Sequence, residues 1–209
     1  MCTRQADFQN GVDAGNRSLL PTVVSNAPCV IGQYRTRWGA GTVAVRQGQL
    51  VGATLPSANE LVATRMSSSG EPTSGEPSRS DRSALERWVR ELEEYFRGER
   101  LAWSSDEVPL DGLGLGEFER IVYATLLSVP PAVTVSYGVL AEMAGHPRAA
   151  RAVGNAMAAN PLPVIVPCHR VIRADGSLGN YGNDPAWKER LLSHEQTHLS
   201  AVGAEGKDE

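Results

Sequence analysis

The residues best suited to chemistry in this chain are Pro167-Cys168-His169-Arg170. A thiolate is a strong nucleophile, and a nearby base or positive charge favours it over the thiol. Cys168 has an imidazole and a guanidinium beside it along the chain. Val164-Ile165-Val166 precedes the group and Val171-Ile172-Arg173 follows it. Three β-branched residues bounded by prolines predict a short buried strand whose exit delivers the cysteine to the edge of solvent. On these four residues alone, a catalytic thiol and a buried structural cysteine are equally good readings.

Composition narrows the classes open to that thiol. The chain has 209 residues, 41% of them hydrophobic, enough to build one ordinary domain or two small ones and not the composition of a disordered protein. Its three cysteines, Cys2, Cys29 and Cys168, are an odd set without a spacing pattern. That argues against a disulfide framework and for a reducing compartment. The expected location is the cytoplasm, or the nucleus in a eukaryote, and not the secretory route. The N-terminus mixes Arg4 and Arg17 with Asp7 and Asp13 and has no apolar core of a signal peptide. No apolar run approaches a membrane span, so no membrane partner is expected. There is no CxxC pair, and His194 and His198 stand one helical turn apart with no third ligand, so no metal is expected.

A net charge of −4 argues, taken whole, against nucleic acid. Its distribution argues the other way. From Gly145 to Arg173 there are four arginines (Arg148, Arg151, Arg170, Arg173) and no Asp or Glu. Such a face can dock on phosphates, although a merely solvated face has the same composition.

The elements that must position these residues predict an α+β protein. Residues 1–28 are polar and aperiodic, a flexible tail. A small α/β scaffold spans 29–107. In it Thr42–Arg46 and Gln49–Leu55 form a hairpin around Gln47-Gly48, 67–80 is a mobile Ser/Gly/Pro loop, and Ser83-Ala84-Leu85-Glu86 is a capping box opening a helix that Gly98 ends. No chemistry is visible in this part. Val108–Gly116 is a Pro/Gly-rich linker. A mainly α domain spans 108–198, and 199–209 is a second flexible tail. Within the domain a helix begins near Glu117 and stops at Pro130-Pro131. Ser136 caps a short helix through Met143, and Gly145-His146-Pro147 breaks it before a helix over 148–160. Two short helices joined by a tight glycine turn are a helix-turn-helix or an ordinary helical hairpin. The second helix, Arg148 to Asn160, is rich in small residues and lacks the long polar series that reads base edges. It suits DNA binding through phosphates and shape.

Several runs together resemble the O6-alkylguanine-DNA alkyltransferases: Val135-Ser136-Tyr137-Gly138, Ala149 to Met157, Asn160-Pro161-Leu162-Pro163, Pro167-Cys168-His169-Arg170-Val171-Ile172, Gly176 to Tyr181, and Lys188 to Glu195. The likeness covers about residues 108 to 196, and the first part only in layout. It implies a suicide repair protein that takes an alkyl group from O6 of guanine, with O4 of thymine a further candidate, in double-stranded DNA onto its own cysteine. The damaged nucleotide must be flipped out of the stack. The resemblance implies no cofactor, and a monomer is expected. It assigns roles by position: Cys168 as nucleophile, His169 as the base acting through a water, Glu195 as its orienting carboxylate, and Asn160 as a hinge between helix and site. Arg151 is the finger that fills the vacated stack, with Arg148 beside it on DNA. Tyr137 acts on the 3′ phosphate and donates to the base. Met157, Pro163, Val171 and Tyr181, with Tyr137, line the lesion pocket.

The chain departs from the family pattern in three places. Gly114-Leu115-Gly116-Glu117-Phe118-Glu119 replaces Gly-Thr-Pro-Phe-Gln, Pro130-Pro131-Ala132 replaces Pro-Tyr-Gly, and Asn183-Asp184 stands where a glycine pair is usual. The alternative function is a lesion-binding protein that signals damage without repairing it; such relatives lack the cysteine. A Cys-His hydrolase is a third reading, separable by turnover.

Overall fold

The computed structural model describes residues 29–57, 77–182, 184 and 186–205. The expected tail at 1–28 and the loop at 67–76 lie outside them. Gln47 and Gly48 both take positive φ, 51° and 76°, as the turn of a two-residue hairpin requires. They join β2 (Gly39–Arg46) to β3 (Gln49–Ala53), so the hairpin forms where expected. A strand not anticipated, β1 (Val30–Thr36), pairs antiparallel with β2, making a meander in the order β1-β2-β3. Its sequence VIGQYRT has little alternation, and only Tyr34 is buried in it.

Helix α1 (Arg79–Arg97) lies on this sheet. Its cap is Ser78, not Ser83: the Ser78 side chain accepts from Asp81 N, and Asp81 in turn accepts from Gly48 N. The tie to the hairpin turn extends the helix at its start, leaving Ser83 inside it, and puts Arg79 and Ser80 in the helix instead of the loop. Gly98 ends it at φ 82°, a conformation that costs glycine little. Trp88, Leu92, Tyr95 and Phe96 fill the face toward the sheet.

Val108–Gly116 is more than a linker. It holds a 3₁₀ turn, Leu110–Leu113, and buries Val108, Leu110 and Leu113. One continuous core therefore runs from Val43 and Tyr95 through Leu113 and Tyr123 to Val166 and Leu191. Helix α2 (Glu117–Leu127) follows. Then β4 (Val135–Ser136) leads into α3 (Tyr137–Met143), capped by Ser136 accepting from Val139 N. Gly145, at φ 76°, turns the chain into α4. That helix spans only Ala150–Ala158. Arg148, at φ 72°, belongs to the turn, and Asn160 lies beyond the last helical residue.

Val164-Ile165-Val166 is buried as expected but is not a strand. Pro161, Pro163 and Pro167 lack the N–H groups a ladder needs. The segment instead folds in tight turns, with Val166 N donating to Leu162 O and Val164 at φ 78°. Cys168–Arg170 form a 3₁₀ turn, and the strand comes after it: β5 (Val171–Ile172) runs parallel to β4. Helix α5 spans Ala186–Glu205, so the tail expected from 199 continues as helix to 205.

Candidate active site

The site is assembled where several segments, distant in sequence, meet the 3₁₀ turn that carries Cys168. Cys168 is buried, 5% exposed. Asn160 Nδ2 donates to its sulfur at 3.1 Å and to Val166 O at 2.9 Å. Asn160 Oδ1 accepts from Leu162 N, so one amide ties the end of α4 to the thiol and to the proline-rich turn. Tyr181 Oη lies 3.5 Å from the sulfur on its other side. Burial pushes the Cys168 thiol above its ordinary value; Tyr181, Asn160 and the Lys188 charge pull the other way without reversing it. The resting group is a thiol.

His169 and Glu195 are fully buried and in contact, Nε2 to Oε1 at 2.7 Å. The α5 carboxylate is therefore no solvated helix residue. It accepts from Tyr95 Oη at 3.0 Å, from Arg170 Nη2 at 2.8 Å and Nε at 3.2 Å, and from Ala132 N at 2.7 Å. Burial alone would raise its pKa, but the hydrogen bonds and charges of His169 and Arg170 outweigh that and hold the carboxyl at about 2. His169 moves down, because its own burial outweighs Glu195. The pair at neutral pH is an ionised carboxylate and a neutral imidazole, with Arg170 as the countercharge. An ionised carboxylate only accepts, so His169 Nε2 carries the proton and Nδ1 keeps the basic lone pair. Nδ1 has no partner among the described residues.

Arg170 corrects a sequence expectation. The sequence places it on the basic face, yet it is 1% exposed. Besides Glu195 it donates to Val129 O at 2.6 Å and Leu101 O at 2.7 Å. Arg148, Arg151 and Arg173 are exposed, as a DNA-facing role requires. Arg151 sits in the first turn of α4, whose inner face is Val153 and Ala156. Tyr123 Oη fixes that helix from below through Ala156 O at 2.7 Å.

The expected pocket residues are brought together unevenly. Tyr137 is half-buried, its phenol pKa raised by burial and then by the Cys168 charge. It follows β4, whose pairing with Val171-Ile172 sets it beside the turn that carries the cysteine. Tyr181 and Val171 are buried, and Met157 packs partly against the core. Pro163 is half-buried and bridges to Val166. Of the departing pair, Asn183 lies outside the described residues, while Asp184 accepts from Ala186 N and so caps α5.

Three contributors were missed in the sequence. Lys188 is buried and donates to Val171 O and Leu178 O, 5.9 Å from the Tyr137 ring centre and 6.0 Å from that of Tyr181. Tyr95 comes from the scaffold that showed no chemistry. Ala132 holds its donor at φ 59°. A signal existed for Lys188: Lys188, Leu191 and Glu195 share one face of α5 at helical spacing, so charges sit on an inward apolar stripe. Tyr95 and Ala132 are far from Glu195 in sequence and gave none.

A family model described as the 6-O-methylguanine DNA methyltransferase DNA-binding domain matches residues 117–197. The mouse methylated-DNA–protein-cysteine methyltransferase is 44% identical over 111 residues, 50% of this chain and 51% of the mouse protein. This chain thus spans about half the length of that relative. The counterpart of the same description in Mycobacterium tuberculosis H37Rv is 42% identical over 130 residues, 60% of this chain and 76% of that one. Among solved structures, the Mycobacterium tuberculosis O6-methylguanine methyltransferase is similar at a TM-score of 0.61 and 32% identity, over 81% of this chain and 94% of that one. A second, the OGT of the same organism in complex with DNA, also gives 0.61, at 31% identity over 80% and 93%. Sequence likeness and matching architecture agree over the segment that carries Cys168, and the chain belongs to the methylated-DNA–protein-cysteine methyltransferase family.

Proposed function

We propose that the chain repairs double-stranded DNA by moving an alkyl group from O6 of guanine to Cys168, once per molecule. The observation that carries this reading is the buried thiol in contact with Asn160 and Tyr181, next in sequence to a neutral imidazole that an ionised carboxylate orients. The Cys168 proton passes to His169 Nδ1 through a water. The sulfur attacks the alkyl carbon, an S–C bond forms and the C–O6 bond breaks. The electron pair leaves on the guanine, which takes up a proton, a step for which Tyr137 is the assigned donor. The products are a thioether and an intact guanine, so the sum of atoms needs no cofactor. Glu195 stabilises the transient imidazolium, and Lys188, Tyr181 and Asn160 stabilise the thiolate.

The alkyl carbon lies within the base stack, so the nucleotide must be extruded, at a cost of a few kcal/mol. Arg148 and Arg151 on exposed positions around α4 supply phosphate contacts and a side chain for the vacated space. Met157, Pro163 and Val171 supply apolar lining. The step needs a reduced thiol, which fits a reducing compartment such as the cytoplasm.

The test is intact mass and peptide mapping after incubation with one equivalent of an O6-methylguanine duplex. One methyl on Cys168 is expected, and none with Cys168→Ser, which still binds DNA. Multiple turnover, or a methyl on Cys29, would overturn the reading.

A further inference from the structure

The carboxylate that orients His169 is not held by the C-terminal half alone. Tyr95, on α1 of the scaffold, is fully buried and donates to Glu195 Oε1 at 3.0 Å. That is the oxygen that accepts from His169 Nε2 at 2.7 Å. The backbone of the same residue accepts from His194 Nε2 at 2.7 Å, one position before Glu195 on α5. Tyr95 thus grips two successive residues of the helix that carries the carboxylate.

We propose that Tyr95 is a positioning residue for the reaction: by sharing Glu195 Oε1 with His169, its hydroxyl limits how strongly the carboxylate binds the imidazole proton. This rests on the alkyl-transfer reading for its consequence, though not for its geometry. A hydrogen bond to an ionised acceptor is strong where water is excluded. An oxygen that already receives Tyr95 and Arg170 has less charge left for Nε2–H. Without the hydroxyl, the Glu195–His169 bond tightens, the imidazolium becomes too stable, and His169 holds a proton to higher pH.

The other groups facing the pair do not duplicate this. Arg170 neutralises both oxygens from the 3₁₀ turn, and the Ala132 amide binds Oε2. Lys188 acts on His169 from α5, Lys188 and Cys168 act on each other, and His194 and Glu195 act on each other along the helix. Apart from His169 itself, Tyr95 is the neutral side-chain donor to Oε1 among the described residues. Burial and the Glu195 charge both raise its own pKa, so it stays protonated and able to donate.

Tyr95 also packs against Trp103, Phe96 and His194 with ring centres 5.3–5.9 Å away, so a filler role is the competing account. Tyr95→Phe keeps that packing and removes only the hydroxyl. Placing 3-fluorotyrosine at position 95 keeps the shape, folds with the native contacts and donates more strongly. The readout is the downfield proton resonance of His169 Nε2–H at neutral pH, which reports the His169–Glu195 bond directly. It should move further downfield in Tyr95→Phe and upfield with 3-fluorotyrosine. The acid limb of the single-turnover rate should rise in pH by on the order of 0.5–1 unit in Tyr95→Phe. A resonance unmoved in both variants, or a rate lowered equally at every pH, would make Tyr95 a filler and overturn the proposal. Methyl transfer is scored separately. A wild-type protein that transfers nothing would defeat the functional reading, while the resonance still decides whether Tyr95 governs the pair.

Discussion

Arg170 and Arg151 show what two regions of one molecule ask of the same side chain. Arg170 lies inside, with every direction of its guanidinium used: Glu195 on one edge, Val129 O and Leu101 O on the others. Arg151 stands exposed on the first turn of α4. One is the countercharge that lets a buried carboxylate stay ionised; the other is free to meet a partner. In the closed cluster both oxygens of Glu195 and each arm of Arg170 are paired, leaving only His169 Nδ1 open among its described groups, and unpairing any of the others in low dielectric is costly. Helix α4 is held from below by Tyr123 and by buried Val153 and Ala156, and it presents Arg151 outward.

Removing Arg170 should break the closed region most. Arg170→Met leaves Glu195 buried without its countercharge and should cost about 3–5 kcal/mol of folding stability, measured by urea unfolding. Arg151→Ala should change the same quantity by under about 0.5 kcal/mol. Equal losses would erase the distinction between the two regions.

Acid should attack the closed region next. The Glu195 carboxyl titrates at about 2 when folded against 4.5 as its ordinary value. As pH falls, the unfolded chain takes up that proton first, so stability present above pH 4.5 is lost on the way to pH 2. The loss is on the order of a few kcal/mol. His169, held below its ordinary 6.5, adds to the decline once pH falls below that value, in the same direction. Unfolding free energy against pH should slope upward through this window, and Glu195→Gln should flatten its acid end. A flat wild-type profile would mean the carboxylate is not buried in its charged form.

The open region should fail in kinetics instead. Arg151→Ala should slow transfer from a duplex tenfold or more, which is at least about 1.4 kcal/mol, while leaving transfer from a free benzylated guanine unchanged. Equal slowing with both substrates would assign Arg151 to the pocket or the fold.

The smallest effect concerns Ala132. An L-residue in the left-handed region costs roughly 1–2 kcal/mol, and glycine relieves that while losing roughly 0.5–1 through chain entropy. Ala132→Gly should therefore stabilise by about 0.5 kcal/mol, with the amide bond to Glu195 kept. A destabilised variant would show that the methyl group packs usefully there.

Legibility in the sequence followed the range of the forces involved. The hairpin at Gln47-Gly48, the Ser136 cap and the Gly98 stop were readable because each depends on a few neighbouring residues. The Ser83 cap misled because the true cap, Ser78, is stabilised through Asp81 by the turn at Gly48, far away in the chain. Val164–Val166 misled because β-branched residues predict burial well and strand poorly when prolines remove the donors. Arg170 misled because charge in a sequence carries no depth.

By itself the sequence determined which chemistry was possible: a thiol with an imidazole beside it, a slim arginine-tipped helix, and a likeness that assigned residues such as Asn160 and Glu195 to roles. It could do so because those signals are residue types in fixed order. Only the tertiary structure decided the state of the chemistry. Glu195 became an ionised acceptor and His169 a neutral base because Tyr95, Ala132, Arg170 and α5 converge on one buried point. Burial and hydrogen bonding shift protonation only where groups meet in space, and residues separated by a hundred positions meet only in the fold.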